Sequence, residues 1–287
     1  MKLGDGPMWK AVCALTLAAV TLGASTPDLR LEPLWTLGGL ADPESAAIGA
    51  DGRFLYVSNV NGEPDAKDGN GFISKVSTDG RMLQAHWADG LDGPKGLILK
   101  GDRLYAADID QLVELDAGSG RIVQRFPAPG AKFLNDTAVA PDGTVLVSDS
   151  ATKRIYALQG GRMQIWAEAP ELAAVNGLYA EPDRLVVITM GGLLLVMDYR
   201  NRAITVLARG LGDGDGIAPA GDGHYLATEW PGRIYDIGPG GTVRTMIDSR
   251  AAQTYANDIT LVGDRLYVPN MKPGTLTAYR VRRRAGP

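Results

Sequence analysis

The stretch NDTAVAPDGTVLVSDSATKRIYAL, residues 135–158, decides how this chain is read. A short apolar run follows Asn135. An Asp142-Gly143 turn comes next, then the β-branched run VLVSD (145–149) and a third run, RIYAL (154–158). Asp-Gly between apolar runs is a strong hairpin signal, so three short antiparallel strands are expected in succession. The same unit recurs along the chain. It runs from Glu44 through DGRFLYVSN (51–59), from Lys95 through GDRLYAAD (101–108), and from Asn176 to DRLVVITM (183–190). It appears again from Asp215 to DGHYLATE (222–229) and from Asn257 to GDRLYVPN (263–270). The leading residues of successive units are 51, 40, 41, 39 and 42 positions apart. Third runs follow in every unit: GFISKV (71–76), QLVEL (111–115), RIYAL, LLLVM (193–197), RIYDI (233–237) and TLTAY (275–279).

A period near 40 residues with four short strands per unit is the signature of a β-propeller blade. The expected fold is all-β, a six-bladed β-propeller over residues 25–287; a β-sandwich would need the regular spacing to be coincidence. The sixth unit stops after its third run, because residues 282–287 are too few for another strand. The stretch LEPLWTL (31–37) precedes the first unit and has no other place. It is expected to supply the missing outer strand and so to close an edge open to foreign pairing.

Composition fits this reading and narrows the chemistry. The chain has 287 residues, a 45% hydrophobic share, 37 glycines and a formal charge of −4. Such an apolar fraction supports a packed core. The mild acidity leaves no basic face for phosphates, so nucleic acid is not an expected partner. One cysteine, Cys13, and two histidines, His86 and His224, exclude internal disulfides and make sites rich in Cys or His improbable. His224 reads as a strand side chain and His86 as part of an outer strand. Carboxylates, amides and hydroxyls remain as the available ligands.

Lys2 and Lys10 precede the apolar run Ala11–Leu22, and Gly23, Ala24 and Ser25 follow it. A basic segment, a short apolar segment and small residues describe a secretory signal peptide, expected over 1–24, with an uncleaved anchor as the competing reading. The run is shorter than the roughly 20 residues of a membrane span. The mature protein is therefore expected to be periplasmic or secreted, thiol-free and without a stable membrane span.

Propeller geometry gives the unit-leading residues a shared place. Innermost strands begin at one face, so Glu44, Lys95, Asn135, Asn176, Asp215 and Asn257 are expected to converge at the mouth of the central channel. The ends of the second strands, at Asn59, Asp108, Asp149, Glu229 and Asn270, are expected to form a second polar ring on that face. Calcium takes about 6–8 oxygen ligands from such groups. Alternatively, these polar residues cap strand ends and bond backbone amides. The first unit also carries an extra loop, NGEPDAKDGNG (61–71), as a candidate lid or a plain surface insertion. Its spacing does not fit a calcium loop, because Lys67 stands where an oxygen ligand is required.

At these residues the chain resembles the senescence marker protein / gluconolactonase / luciferin-regenerating enzyme family. The similarity spans roughly residues 40–281 and rests on PES (43–45), FLNDTAVAPDG (133–143), VNGL (175–178), GDGDGI (212–217) and DGNGFISKVSTDG (68–80). The resemblance implies a six-bladed propeller with one divalent cation at the channel mouth. It implies that Glu44, Asn176 and Asp215 hold the cation and that Asn135 lies beside cation and substrate. Calcium is the expected ion, with zinc or magnesium as the other divalent options. The calcium-dependent paraoxonases are more distantly similar, through YANDI (255–259). Two departures stand out. Phe133 occupies the position where sugar lactonases of the family carry an arginine, and SDSATKRIYAL (148–158) offers no match to their substrate-binding acid.

The function this implies is metal-dependent hydrolysis of a small-molecule lactone or ester. A bound cation polarises the carbonyl and lowers the pKa of its water. Asp215 or Asp258 is the candidate proton acceptor. Lys95 is a candidate for stabilising the oxyanion, or else a solvent-facing lysine after Pro94. Trp230 is a candidate pocket wall. The alternative is a non-catalytic binding or scaffold propeller, since LYAAD and VLVSD also resemble NHL-type repeats and fold alone does not fix function.

Overall fold

A computed structural model describes Met1 and residues 28–284. The candidate signal peptide and Cys13 lie outside the described residues. The described chain folds into six four-stranded antiparallel sheets, which are the blades of a propeller. Blade 1 runs through Pro43–Ile48, Phe54–Asn59, Gly71–Ser77 and Met82–Leu91. Blades 2 to 5 repeat that order, with innermost strands Pro94–Lys100, Leu134–Val139, Val175–Ala180 and Gly214–Gly221. Innermost strands of adjacent blades contact one another all the way round the ring.

Blade 6 is assembled from both ends of the chain. Thr260–Val262, Arg265–Asn270 and Thr275–Arg284 supply three strands, and Asp28–Gly38 supplies the outermost one. The last two pair antiparallel from Asp28↔Arg284 to Gly38↔Thr275, with Leu37 opposite Leu276. The closing strand expected at 31–37 is therefore present and extends further on both sides. Closure gives blade 6 the same four strands as the other five blades and covers the edge of Thr275–Arg284.

The packing explains why the inner strands read as nearly unbroken apolar runs. Successive side chains point to opposite faces of a sheet. Each blade lies between two others, so both faces are buried. Six apolar clusters fill the six junctions, for example Tyr56, Trp87 and Leu104 between blades 1 and 2. The junction between blades 6 and 1 holds Val57, Tyr267 and Leu276. Outermost strands lose one neighbour, and their burial falls accordingly in Ile122–Pro127 and Arg162–Glu168. At the Asp222-Gly223 turn both residues have positive φ, at 52° and 77°, whereas at Asp51-Gly52 and Asp142-Gly143 only the glycine does, at 68° and 84°.

Candidate functional site

Every innermost strand from blade 1 to blade 5 breaks its pairing register at the same place. The irregularities fall between Pro43 and Ala46, Pro94 and Leu97, Leu134 and Thr137, Val175 and Leu178, and Gly214 and Ile217. A β-bulge re-aims side chains. Here each bulge contains the leading residue of the unit and the residue after it. Three of the displaced amides are caught by hydroxyls on the neighbouring strand. The N–H groups of Ser45, Asp136 and Gly216 donate to Ser58, Ser148 and Thr228 at 2.9, 2.9 and 2.7 Å. Those hydroxyls were legible in the sequence as the residue before each strand-ending Asn, Asp or Glu, in VSN, VSD and ATE.

The bulged residues converge. Glu44, Lys95, Asn135, Asn176, Asp215 and Asn257 all line one cavity of about 360 Å³. None is more than 5% exposed. Four of them place a buried oxygen with no hydrogen-bond partner among the described residues: Glu44 Oε2, Asn135 Oδ1, Asn176 Oδ1 and Asp215 Oδ1. The other two are satisfied. Asn257 Oδ1 accepts from the Met271 amide at 3.3 Å. Lys95 Nζ donates to the carbonyls of Pro64 and Gly93, at 2.7 and 3.1 Å, and stands 4.3 Å from the Phe133 ring centroid. The Asn135 amide is oriented by its nitrogen, which donates to Ser150 Oγ at 3.1 Å.

Charge at the site is unbalanced. Burial, and then the nearby Asp215 and Asp258 carboxylates, push the Glu44 carboxyl well above its ordinary range. Asp215 is raised by burial and by Asp258. Burial holds the Lys95 ammonium below its usual value, against the pull of Glu44. Glu44 thus stands among three other carboxylates, Asp136, Asp215 and the part-buried Asp258, with Lys95 as the one cation acting on it. An orphaned buried acceptor is costly, and clustered carboxylates stay ionised only beside positive charge. An oxygen-seeking divalent cation satisfies both conditions, so the donor set fits one. Among the described residues no group of three or more His, Cys, Asp or Glu side chains is gathered for a metal, because this set mixes two carboxylates with two amides.

Asp136 and Asp258 occupy the position after the leading residue, in opposite blades. Both line a second cavity of about 170 Å³ further along the channel, not the one at its mouth. Their oxygens are engaged. Asp258 accepts from Ser45 Oγ at 2.6 Å and from the Ile259 amide at 2.7 Å. Asp136 accepts from the Leu178 and Thr137 amides at 2.6 and 2.7 Å. In blades 4 and 5 this position is glycine for want of space. A Cβ on Gly177 would sit 2.2 Å from the Asp215 carbonyl, and one on Gly216 would sit 2.5 Å from the Ile259 amide.

The expected second polar ring does not form. Asn59 accepts from the Ala41 amide at 3.0 Å, and Asp108 from the Gly93 amide at 2.8 Å. Asp149 accepts from Lys132 and Phe133 at 3.0 and 3.1 Å. These side chains turn into their own blades and fasten the loops that lead into the bulges. Glu229 is held by the Tyr235 hydroxyl and by Arg233. The second ring at the cavity is instead apolar and one residue later: Val60, Met190, Trp230 and Met271. The insertion 61–71 reaches the same cavity with Gly62 and Pro64, and it is tied down by Lys67 on Asp110 at 2.5 Å. Neither histidine lines either cavity. His224 is buried against Asp236 at 2.7 Å, and His86 stacks on Phe72 at the surface.

Solved structures that share this propeller fold include lyases. A streptogramin B lyase is similar at 15% identity, with a TM-score of 0.61 over 89% of this chain and 98% of that one. A catalytically inactive histidine-to-alanine variant of virginiamycin B lyase from Staphylococcus aureus, solved with quinupristin, matches at 13% identity and a TM-score of 0.61, over 89% of this chain and 99% of that one. The selenomethionine form of that lyase matches at 13% identity and a TM-score of 0.62, over 88% and 99%. At these identities the likeness establishes the propeller fold. No family model matches the chain, and no curated protein does.

Proposed function

We propose that this propeller is a divalent-cation-dependent hydrolase of small lactones or esters. The observation that carries the reading is the set of four unpartnered buried oxygens, on Glu44, Asn135, Asn176 and Asp215, brought from four blades to one cavity. These residues would hold the cation, in agreement with the resemblance to the gluconolactonase-like family. When bound, a divalent cation polarises a carbonyl and makes its water more acidic. Asp215 lines the cavity and would hold the cation through Oδ1; its other carboxylate oxygen would be the proton acceptor. Asp258 lies in the second cavity and keeps Ser45 in place. Lys95 has one N–H left after its two carbonyl bonds, and that donor is available to a developing oxyanion. The lyase neighbours open a different chemistry as a comparison. Their inactive variant lacks a histidine, and no histidine lines this cavity.

The binding-propeller reading keeps two observations in its favour: Lys95 is already engaged, and Asp258 lies outside the cavity. Titration of the chelated protein with calcium, followed by melting temperature and by turnover of a lactone and aryl-ester panel, separates the two. A calcium-dependent melting rise with turnover supports the hydrolase. A rise without turnover supports the binding propeller. No rise with any divalent ion overturns the cation itself.

A further inference from the structure

We infer that the cavity selects an ester or lactone whose carbonyl end is polar and whose body is apolar, an alkyl chain or aryl ring and not a polyol; this rests on the hydrolase reading above. Polar atoms free to meet a ligand sit on the four anchors and on Lys95, which keeps one N–H. The apolar part of the wall is Val60, Pro64, Phe133, Met190, Trp230 and Met271, and Asp42, Gly62, Lys95, Asn257 and Lys272 complete the lining. Four of the six apolar residues stand at one repeat position, directly after the second strand of blades 1, 4, 5 and 6. The apolar wall is thus built into the blade and is not an accident of one loop.

The cations at the cavity do not offset this character. Lys272 is paired with Asp42 at 2.6 Å. Lys95 is bonded to two carbonyls above the Phe133 ring. Substrate hydroxyls buried against the apolar part of that wall would exchange water for surface that offers no hydrogen bond, which is unfavourable for each group. An alkyl body gains about fourfold in affinity for each methylene it buries. The Trp230 ring is fixed by Tyr255 at a centroid distance of 4.7 Å. Met190, 37% exposed at the rim, and Met271 have adaptable thioether chains that fit bodies of differing shape. The cavity volume of about 360 Å³ is at the small end for ligand pockets.

The test uses the calcium-loaded full chain. Binding of γ-lactams with alkyl chains of increasing length, which are not hydrolysed, is measured by calorimetry beside turnover of the matching γ-lactones and of gluconolactone. The expected result is a fall in lactam Kd of at least about tenfold from the unsubstituted ring to a hexyl chain, with KM of the lactones falling in parallel. Trp230→Ala should weaken the hexyl ligand about tenfold and leave the unsubstituted ring within about twofold; Trp230→Phe should restore most of the loss. Affinity that is flat with chain length, or a preference for gluconolactone, overturns the inference and leaves the hydrolase reading intact. Chain-dependent lactam binding with no lactone opened supports the inference and removes the hydrolase reading.

Discussion

Glu44 and Glu229 are glutamates sealed from solvent to nearly the same degree, 4% and 6% exposed, in blades 1 and 5. Glu229 is surrounded by donors, with Arg233 at 3.2 Å and the Tyr235 hydroxyl closer still. Glu44 has an orphaned Oε2, and its nearest charges include the carboxylates of Asp215, Asp258 and Asp136. Burial does not separate the two. Partners do: one carboxylate is bonded within the fold, while the other keeps an oxygen without a partner among the described residues. The same contrast separates neighbours in sequence, since Asn135 keeps a free oxygen and Asp136 does not.

Exchanging the two glutamates in turn gives the largest expected difference. Glu44→Gln or Asp215→Asn should abolish the cation-induced melting rise and cut turnover by at least about 100-fold, since even groups one step removed from a metal carry 10–100-fold effects. Without cation these variants should melt at or above the unmodified protein, because a like charge has been removed. Glu229→Gln should do the reverse. It should lower stability by about 1–3 kcal/mol through the loss of a charged, buried hydrogen-bond acceptor and leave calcium affinity unchanged. If Glu229→Gln weakens calcium as much as Glu44→Gln does, the distinction fails.

The pH dependence sharpens the same point. Burial raises the folded-state pKa of Glu44, Asp136, Asp215 and Asp258, the last to about 6. A carboxyl with a raised pKa binds more protons folded than unfolded, so stability falls as pH rises from its unfolded pKa through its folded one. The chelated protein should therefore melt at a lower temperature at pH 8 than at pH 5. Because protons compete with the cation for these oxygens, the calcium-induced rise should be larger at pH 8. Melting curves at the two pH values, with and without chelator, measure both effects, and equal rises at both would count against a carboxylate site.

The smallest expected effect is on the inner support. Ser45→Ala removes the donor to Asp258 and the acceptor for the Leu97 amide, bonds of 2.6 and 3.2 Å. A loss of about 1 kcal/mol is expected in denaturant unfolding, with calcium affinity nearly unchanged. A calcium affinity that falls tenfold would place Ser45 and Asp258 in the cation site after all.

The fold was legible because a blade repeats its own grammar. Apolar runs of four to eight residues, Asp-Gly turns and a spacing near 40 were enough to count the units, and LEPLWTL had only one open edge to fill. The six leading residues were legible for the same reason. The second ring was misread at Asn59, Asp108, Asp149, Glu229 and Asn270. A polar residue at a strand end can face the channel or turn back to a loop amide, and the two choices look alike in sequence. At Asn59, Asp108 and Asp149 buried loop amides claim the side chain because they need acceptors, whereas Glu229 is held by Tyr235 and Arg233, and Asn270 by the Tyr255 carbonyl and the hydroxyls of Thr275 and Thr277. Met190, Trp230 and Met271, one residue later, carried no repeat signal beyond being apolar.

The sequence by itself determined the blades, their number, the closing strand and the residues that begin each innermost strand, since these depend on local pattern and period. The tertiary structure alone decided which polar atoms stay without partners. That depends on bulges, on amides from neighbouring blades and on a lysine held by a distant loop. Four oxygens remain free at the channel mouth because every other buried acceptor named here beside them has a donor within reach, and only the assembled ring brings those donors close.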